Sequence, residues 1–306
     1  MSLVSNFTCL VGTLYIFYLL SKFLMWVFEV LKTTFFGGHF DITRFGEWAV
    51  VTGCTDGIGK SYAKQLAAKG LNIILMSRSK EKLTSVAAEL ENDYKVKTMI
   101  IQVDFSGGHE IYEPIAEKLE GFEIGVIVNN VGVAVPSISY LHEFSNEVLW
   151  KQINVNVMSA VMITRLLIPA MVERKKGVII NISSCVAVRP FPLRAAYSGT
   201  KAFLDKFSKS LQIEYGDKGI VIQSVLPFYV ATNMTGMKPG LFSPAPDDYV
   251  RAVLKKVGIS SRCFGYWPHE LQAVVMNWPI SNWLIHKFIM KFLLKRVRLE
   301  DAKKKS

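Results

Sequence analysis

Cysteines are few in this chain, and repetitive sequence is absent. The four cysteines among 306 residues, Cys9, Cys54, Cys185 and Cys263, lie far apart. Metal sites need ligands at close spacing, so we predict no metal centre, and we predict free thiols in a reducing compartment rather than disulfides. The sequence contains no internal repeat and no low-complexity segment, which excludes a repeat architecture.

Acidic residues are scarce relative to basic ones. The chain has 25 acidic and 36 basic residues, which gives a formal net charge of +11. Many basic residues lie between positions 287 and 305, interleaved with apolar ones. No nucleic-acid-binding motif accompanies them, so the pattern favours a membrane surface, and we expect no nucleic-acid partner. The mean hydropathy of +0.27 agrees with membrane contact.

A long apolar run occupies residues 7–31. Its length suits a bilayer span, although Lys22 and Glu29 are costly within it. A cleaved signal peptide would show a charged start and a small-residue cleavage site, and neither is evident. We therefore predict an uncleaved membrane anchor, with a helix lying in the membrane interface as the alternative.

From Trp48 onward, short apolar runs alternate with amphipathic helical stretches. This pattern predicts an α/β fold, a Rossmann-type doubly wound parallel sheet, between the N-terminal membrane anchor and a C-terminal amphipathic helical extension. The predicted strands span residues 48–52, 72–76, 98–103, 124–128, 178–182 and 220–226, and predicted helices include residues 60–69 and 197–215.

The turn after the first predicted strand is rich in glycine. It contains Gly53, Thr55, Asp56, Gly57, Ile58 and Gly59, and Lys60 follows at the start of a helix. Glycines here let the backbone approach a pyrophosphate, which then lies at the positive end of the helix. The spacing G-x-x-x-G-x-G departs from the commoner G-x-G-x-x-G, but the strand–turn–helix context favours a dinucleotide site.

Later strand ends supply further candidate cofactor contacts. NAD-preferring sites usually carry an acidic residue after the second strand; here Arg78, together with Lys60, favours the extra phosphate of NADP. Taken singly, either charge could be a solvated surface charge. The other candidates are Asp104 for the adenine amine, Asn130 and Gly132 for a turn beneath the cofactor, and Val230 and Thr232 for the nicotinamide carboxamide.

A serine, a tyrosine and a lysine follow the fifth strand. Ser184 lies at the strand end, and Tyr197 and Lys201 share one face of the next helix. An ammonium beside a phenol stabilises the phenolate, so we expect Lys201 to lower the pKa of Tyr197. Ser184 could hold a carbonyl by hydrogen bonding. The alternative is an incidental Tyr and Lys on a surface helix.

Together these motifs resemble the short-chain dehydrogenase/reductases. The similarity covers about residues 46–235: TGxxxGxG, NNVG, an asparagine-bearing helix, the serine, Y-x-x-x-K and a P-x-x-V-x-T strand exit. The resemblance implies hydride transfer from a nicotinamide, with Tyr197 as general acid, Lys201 lowering its pKa and holding the ribose, and Ser184 orienting the carbonyl. It also implies that Asn156, in preference to Asn154, supports a proton-relaying water. Asparagine within a helix is unfavourable without a partner, so at least one of the two has one.

Finer features narrow the resemblance. The anchor, the sequence WAVVTGCTDGIGK from Trp48 and the basic C-terminal extension are similar to the membrane-bound 17-beta-hydroxysteroid dehydrogenases and very-long-chain 3-oxoacyl-CoA reductases. Phe228 departs from the glycine common there in the wider family. The chain is also similar to hydroxysteroid dehydrogenase-like proteins, some of which lack the tyrosine and are considered inactive. Because this chain keeps Tyr197, we predict activity.

The C-terminal region predicts a location. Lys303 and Lys304 resemble a dilysine retrieval signal, with a plain basic tail as the alternative, and together with the anchor they favour the endoplasmic reticulum membrane, with the catalytic domain facing the cytosol. Residues 268–298 predict an interfacial amphipathic segment; a helix on the substrate cleft or a homodimer contact is the alternative. The predicted domains are an anchor and linker (1–45), a catalytic domain (46–265) and a membrane-associating extension with a basic tail (266–306).

These observations predict an NADPH-dependent, membrane-bound ketoreductase. Its substrate would be a lipophilic ketone, either a long- or very-long-chain 3-oxoacyl-CoA of fatty-acid elongation or a 17-keto steroid. Arg189 and Arg194, which precede Tyr197, could contact CoA phosphates or could be plain loop charges. The hypothesis from another class is a non-catalytic lipid-binding or scaffolding protein that keeps the fold.

Overall fold

Seven parallel strands form one sheet in the computed structural model, which describes residues 3–37, 40–134, 138–276, 287–288 and 290–295. The strands are Trp48–Thr52 (β1), Asn72–Ser77 (β2), Thr98–Gln102 (β3), Ile124–Asn129 (β4), Gly177–Ile182 (β5), Ile220–Val225 (β6) and Arg262–Cys263 (β7). Their order is β3-β2-β1-β4-β5-β6-β7. The order reverses at β1 and β4, which leaves a crevice at their carboxyl ends. The predicted doubly wound sheet is confirmed.

Helices cover both faces of the sheet. The α-helices of the described residues are Leu3–Phe36 (α1), Gly57–Ala67 (α2), Lys80–Tyr94 (α3), Tyr112–Leu119 (α4), Asn146–Ile153 (α5), Ser159–Arg174 (α6), Ala195–Tyr215 (α7), Pro246–Leu254 (α8) and Trp267–Met276 (α9). A π-helical turn, Asn154–Met158, joins α5 to α6. Helices α2, α3 and α8 pack on one face of the sheet, and α4, α6 and α7 pack on the other.

The strands are apolar throughout because both of their faces are buried. Successive residues of a strand point to opposite faces, so Val50 joins the core beneath α4 and α6, while Val51 joins the core beneath α2 and α3. All six residues of β5 are buried. This central position makes the carboxyl end of β5 a rigid support for the residues that follow it.

The N-terminal helix α1 contributes no residue to the hydrophobic core of the described structure. Its segment Ser5–Phe28 has a mean hydropathy of 1.7 and a length of 24 residues, and none of its most apolar window is buried. In a second segment of similar hydropathy, Asn146–Arg174, 56% of the most apolar window is buried, so this segment belongs to the core around the sheet. Length and exposure therefore make α1 a candidate membrane anchor.

Only part of the predicted C-terminal extension is described. It comprises α9, residues 287–288 and a helical turn at residues 290–295. Within that turn, Leu293 packs against Ile138 and Leu193, two loop residues on the side of the sheet where the strands end. Trp278, Trp283, His286 and the lysines at 303–305 lie outside the described residues.

Candidate active site

Glycines let the chain turn tightly where β1 ends. Gly53 and Gly57 have φ values of +64° and +51°, a conformation that side chains disfavour. A Cβ on Gly57 would lie 2.9 Å from Thr232 Cγ2, and one on Gly59 would lie 2.2 Å from the Gly53 carbonyl oxygen. Asp56 caps α2 by accepting a hydrogen bond from the Gly57 N–H at 2.7 Å. The turn therefore fits a pyrophosphate at the positive end of α2, and Ile58 packs beneath it.

Two side chains hold this turn in shape. Asn130 Nδ2 donates to the carbonyl oxygens of Thr52 and Gly53 at 2.9 and 3.1 Å. The Thr52 hydroxyl accepts from the backbone N–H groups of Asn130 and Val131, each at 3.0 Å. Asn130 thus supports the glycine-rich turn, and its predicted place beneath a cofactor stays a prediction. Thr52 was not among the predicted residues, since a threonine that ends an apolar strand carries no signal of this role.

The two residues predicted to contact the NADP phosphate, Lys60 and Arg78, have different surroundings in the structure. Lys60 Nζ forms an ion pair with Glu89 Oε2 of α3 at 2.7 Å, which gives it a structural partner. Thr55 hydrogen-bonds through its hydroxyl to Ser77 at 3.1 Å, which fixes the end of β2 just before Arg78. Of the two predicted cations, Arg78 is the one that stands at this strand end.

Asp104 and Thr232 form the other sides of the cleft. Burial acts to raise the pKa of Asp104, but hydrogen bonds from Ser106 and the charge of Arg78 outweigh it and lower the pKa. The carboxylate is therefore charged and held by Ser106 N and Oγ at 2.9 and 2.8 Å. On the opposite side, the Val230 carbonyl accepts from the Thr235 hydroxyl at 2.6 Å, and Thr232 Cγ2 lies beside Gly57.

Tyr197 and Ser184 are in direct contact. The Ser184 hydroxyl lies close enough to the Tyr197 phenol to lower its pKa, and Ser184 Oγ accepts from the Val186 N–H at 3.4 Å. We expected Lys201 to lower the pKa of Tyr197, and the structure corrects this. Burial and the neighbouring Cys185 raise the pKa of Tyr197 above 10.0, and the opposing effects of Ser184 and Arg194 are smaller. The phenol therefore keeps its proton.

Lys201 is buried one helical turn from Tyr197. The residue is 4% exposed, and its Nζ donates to the Ile182 carbonyl oxygen at 2.9 Å. Burial lowers the pKa of Lys201 to about 8. Gly132 lies close by, since a Cβ there would be 3.3 Å from Nζ. The lysine thus sits at the carboxyl ends of β4 and β5, within reach of a group in the cleft.

Of the two asparagines, Asn156 is the one placed beside this site. It lies in the π-helical turn, 1% exposed, and its side chain accepts from Val133 N at 2.7 Å and donates to Val133 O at 2.9 Å. Its Nδ2 also donates to Thr200 Oγ1 at 3.1 Å. Asn154 instead donates to the Ser106 and Gly107 carbonyls after β3.

Tyr229 is a site residue that the sequence did not single out. It is 58% exposed, and it lies close enough to Tyr197 to raise the pKa of that phenol. It occupies the loop after β6, next to the departure at Phe228, and a tyrosine within a predicted loop gave no signal of its own. Tyr229 is therefore an exposed neighbour of Tyr197.

Residues 47–239 match the family described as short chain dehydrogenase. The chain belongs to the short-chain dehydrogenase family. The match covers the glycine-rich turn, the strand ends and the Ser184–Tyr197–Lys201 group. The chain is accordingly an oxidoreductase by family.

Relatives of this short-chain dehydrogenase carry two kinds of name. The human protein named inactive hydroxysteroid dehydrogenase-like protein 1 is 48% identical, covering 79% of this chain and 75% of its own. Very-long-chain 3-oxoacyl-CoA reductase from Anas platyrhynchos is 47% identical, covering 85% and 84%. Among solved structures, the alcohol dehydrogenase from Thermococcus sibiricus complexed with 5-hydroxy-NADP has a TM-score of 0.61 at 29% identity, covering 68% of this chain and 90% of that one.

Proposed function

We propose that this protein is an NADPH-dependent reductase of lipophilic ketones. The observation that carries the proposal is the placement of Ser184, Tyr197 and the buried Lys201 at the carboxyl end of β5, beside the glycine-rich turn. A tyrosine phenol holds its proton at neutral pH and can donate it as the carbonyl oxygen becomes basic. The Ser184 hydroxyl would donate a second hydrogen bond to the same carbonyl oxygen.

The cofactor proposal rests on the shape and charge of the cleft. Gly53, Gly57 and Gly59 let the chain turn tightly between β1 and the N-terminus of α2, where a pyrophosphate would bind, and Arg78 would pair with the ribose phosphate of NADPH. Asp104, Asn130, Gly132, Val230 and Thr232 would form the remaining contacts. When bound, NADPH supplies the hydride. Lys60, paired with Glu89, would contribute positive potential and no direct contact.

Lys201 and Asn156 would serve the proton supply. Once Tyr197 has donated its proton, the Lys201 ammonium would stabilise the phenolate, and a lysine with a pKa of about 8 can release a proton near neutral pH. Asn156 fixes Val133 and Thr200 beside Lys201 and would hold the water that reconnects the site to solvent.

A long- or very-long-chain 3-oxoacyl-CoA is the substrate that we favour over a 17-keto steroid. The support is the similarity to the 3-oxoacyl-CoA reductase over 85% of the chain, and the Arg189 and Arg194 pair beside the site as candidate contacts for CoA phosphates. We propose the division into residues 1–45, 46–265 and 266–306, with α1 anchoring the protein in the endoplasmic reticulum membrane and the catalytic domain in the cytosol. A homodimer stays a prediction.

The alternative is a non-catalytic protein of the same fold, and the name of the human relative favours testing it. Detergent-solubilised protein should oxidise NADPH with a long-chain 3-oxoacyl-CoA, and a 17-keto steroid is assayed in parallel. Tyr197→Phe should lower turnover by at least about a hundredfold while NADPH binding, followed by fluorescence, is unchanged. Tyr215→Phe, the same substitution at the end of α7, serves as the control. NADPH binding without turnover of either ketone by the unaltered protein would favour the non-catalytic reading.

A further inference from the structure

Helix α9 has its polar and apolar sides reversed for a helix in water. Its exposed residues include Trp267, Leu271, Val274 and Val275, at exposed fractions of 57%, 42%, 44% and 64%. Their spacing places them on one stripe. The buried side carries Pro268, His269 and Ala273. A helix that buries a histidine and exposes a stripe of apolar side chains marks a surface that an apolar partner covers.

A neighbouring loop extends this apolar surface. Residues 234–242 expose Met234, Met237, Leu241 and Phe242 at fractions of 65%, 43%, 56% and 51%. The backbone of Phe242 lies against the His269 ring, so the loop borders α9 directly. We call the exposed apolar residues of α9 and of loop 234–242 the docking face.

The docking face adjoins the point where α1 meets the catalytic domain. Lys32 of α1 donates from Nζ to the Ile259 carbonyl oxygen at 3.0 Å, and the Phe40 ring lies beside Gly258. The same loop is tied to α9 by an ion pair of 2.8 Å between Lys256 and Glu270. An apolar helix as exposed as α1 needs lipid around it. The bilayer surface therefore lies within reach of α9.

The positive charge near the docking face also favours a lipid bilayer as the partner. Lys238 of the loop and Lys255 after α8 are exposed beside the docking face, and the chain carries a net charge of +11. An exposed tryptophan suits the boundary between lipid headgroups and acyl chains. Anionic lipid would attract these lysines as the apolar residues enter the interface.

We propose that the docking face lies in the surface of an anionic lipid bilayer, so that a lipid-dissolved ketone enters the active site beside Tyr229. The loop after β6 links the two regions, since the centroid of the Phe228 ring lies 5.6 Å from that of His269 of α9, and Tyr229 follows Phe228 beside Tyr197. The entry of the ketone rests on the proposed function; the contact with lipid does not. This contact is additional to the α1 anchor and includes loop 234–242 of the proposed catalytic domain as well as α9.

Spin labelling of the full chain in vesicles tests the contact. A nitroxide is attached at Val275→Cys, or at Ser85→Cys on the exposed side of α3 as the matched aqueous reference, in a Cys9→Ser background. Native Cys9, exposed on α1, gives the lipid reference in the unaltered chain. Burial protects Cys54 and Cys263 and raises the pKa of the Cys185 thiol to about 11, so these three label slowly. The vesicles contain phosphatidylcholine and phosphatidylserine.

Collision with oxygen, which concentrates in lipid, is compared with collision with a water-soluble nickel chelate. The proposal expects the Val275 label to resemble the Cys9 label and to differ from the Ser85 label. A Val275 label as accessible to nickel as the Ser85 label overturns the proposal. Shielding from both reagents would show that protein covers the stripe, either the remaining C-terminal segment or a second copy, and also overturns it.

Activity then tests substrate entry. Leu271→Ser with Val275→Ser should lower the turnover of a vesicle-borne long-chain ketone by about tenfold, since one apolar side chain leaves lipid in each case. Turnover of a water-soluble short-chain ketone should be unchanged. Equal loss on both ketones would overturn entry from lipid. If the unaltered protein reduces neither ketone, the proposed function fails, while the label positions still decide the contact with lipid.

Discussion

Replacing Lys201 with methionine should stabilise the fold while it abolishes activity. Burial lowers the pKa of Lys201 from 10.5 to about 8. At about 1.4 kcal/mol for each pH unit, the charged lysine costs the fold about 3 kcal/mol at pH 7. Methionine has a similar shape but removes the hydrogen bond to the Ile182 carbonyl, which costs about 1–2 kcal/mol. The net gain should be about 1–2 kcal/mol.

The pH dependence separates this effect from ordinary packing. Because the pKa of Lys201 is depressed in the fold, its penalty is complete below about pH 8 and disappears as the pH rises towards 10.5. The thermal midpoint of the detergent-solubilised protein should be higher for Lys201→Met at pH 7, by roughly 2–5 °C. The two midpoints should converge as the pH rises to about 10.

Lys64→Met provides the matched control. The hydrogen bond that Lys64 donates to Glu89 raises the pKa of Lys64, so the same substitution on α2 should lower the midpoint at pH 7. The reasoning is refuted if Lys201→Met unfolds below the unaltered protein at pH 7, or if the gap between them does not change with pH. Retained ketone reduction by Lys201→Met would remove the lysine from the proposed proton path.

Three further results follow from the geometry. Arg78→Asp should lower the preference for NADPH over NADH by at least about tenfold in binding titrations, and an unchanged preference would remove Arg78 from the phosphate site. Asp205→Asn should destabilise the protein by about 3 kcal/mol, measured by unfolding in denaturant. The reason is that the Asp205 carboxylate, 9% exposed, binds Arg262 Nε at 3.0 Å and Lys209 Nζ at 2.9 Å. A loss as small as that from Asp248→Asn, which removes an exposed ion pair, would contradict this. Burial lowers the pKa of His269 below 6.5, so stability is complete above that pH and falls as the solution is acidified. The thermal midpoint should therefore fall from about pH 7 to about pH 5 less steeply in His269→Gln, and equal slopes would show that His269 does not titrate with unfolding.

The sheet could be predicted from the sequence because its strands are buried on both faces. Strand β1 begins and ends where the apolar run does, at Trp48 and Thr52, and the next five strands end within one residue of their predicted ends. Helix α2 starts three residues earlier than predicted because Asp56 caps it at Gly57. Strand β7 has two residues, too few for any periodicity to reveal it.

The candidate site was predictable in its backbone positions and less so in its side-chain partners. Strand ends and helix faces follow from periodicity, so the order of the motifs brings Ser184, Tyr197 and Lys201 to one edge of the sheet. The pairing of Lys60 with Glu89 depends on how α2 packs against α3, which local sequence does not encode. The raised pKa of Tyr197 depends on burial, which is a property of the whole fold.

The energetics of the site argue for chemistry over a scaffold role. A scaffold of this fold would be more stable with methionine at position 201, since the buried ammonium costs about 3 kcal/mol at pH 7. Asn156 interrupts a helix with a π-helical turn so that its amide can meet Val133 and Thr200. Both features converge on the cleft beside Tyr197. The proposed proton transfer to a ketone would use each of them, whereas lipid binding alone would use neither.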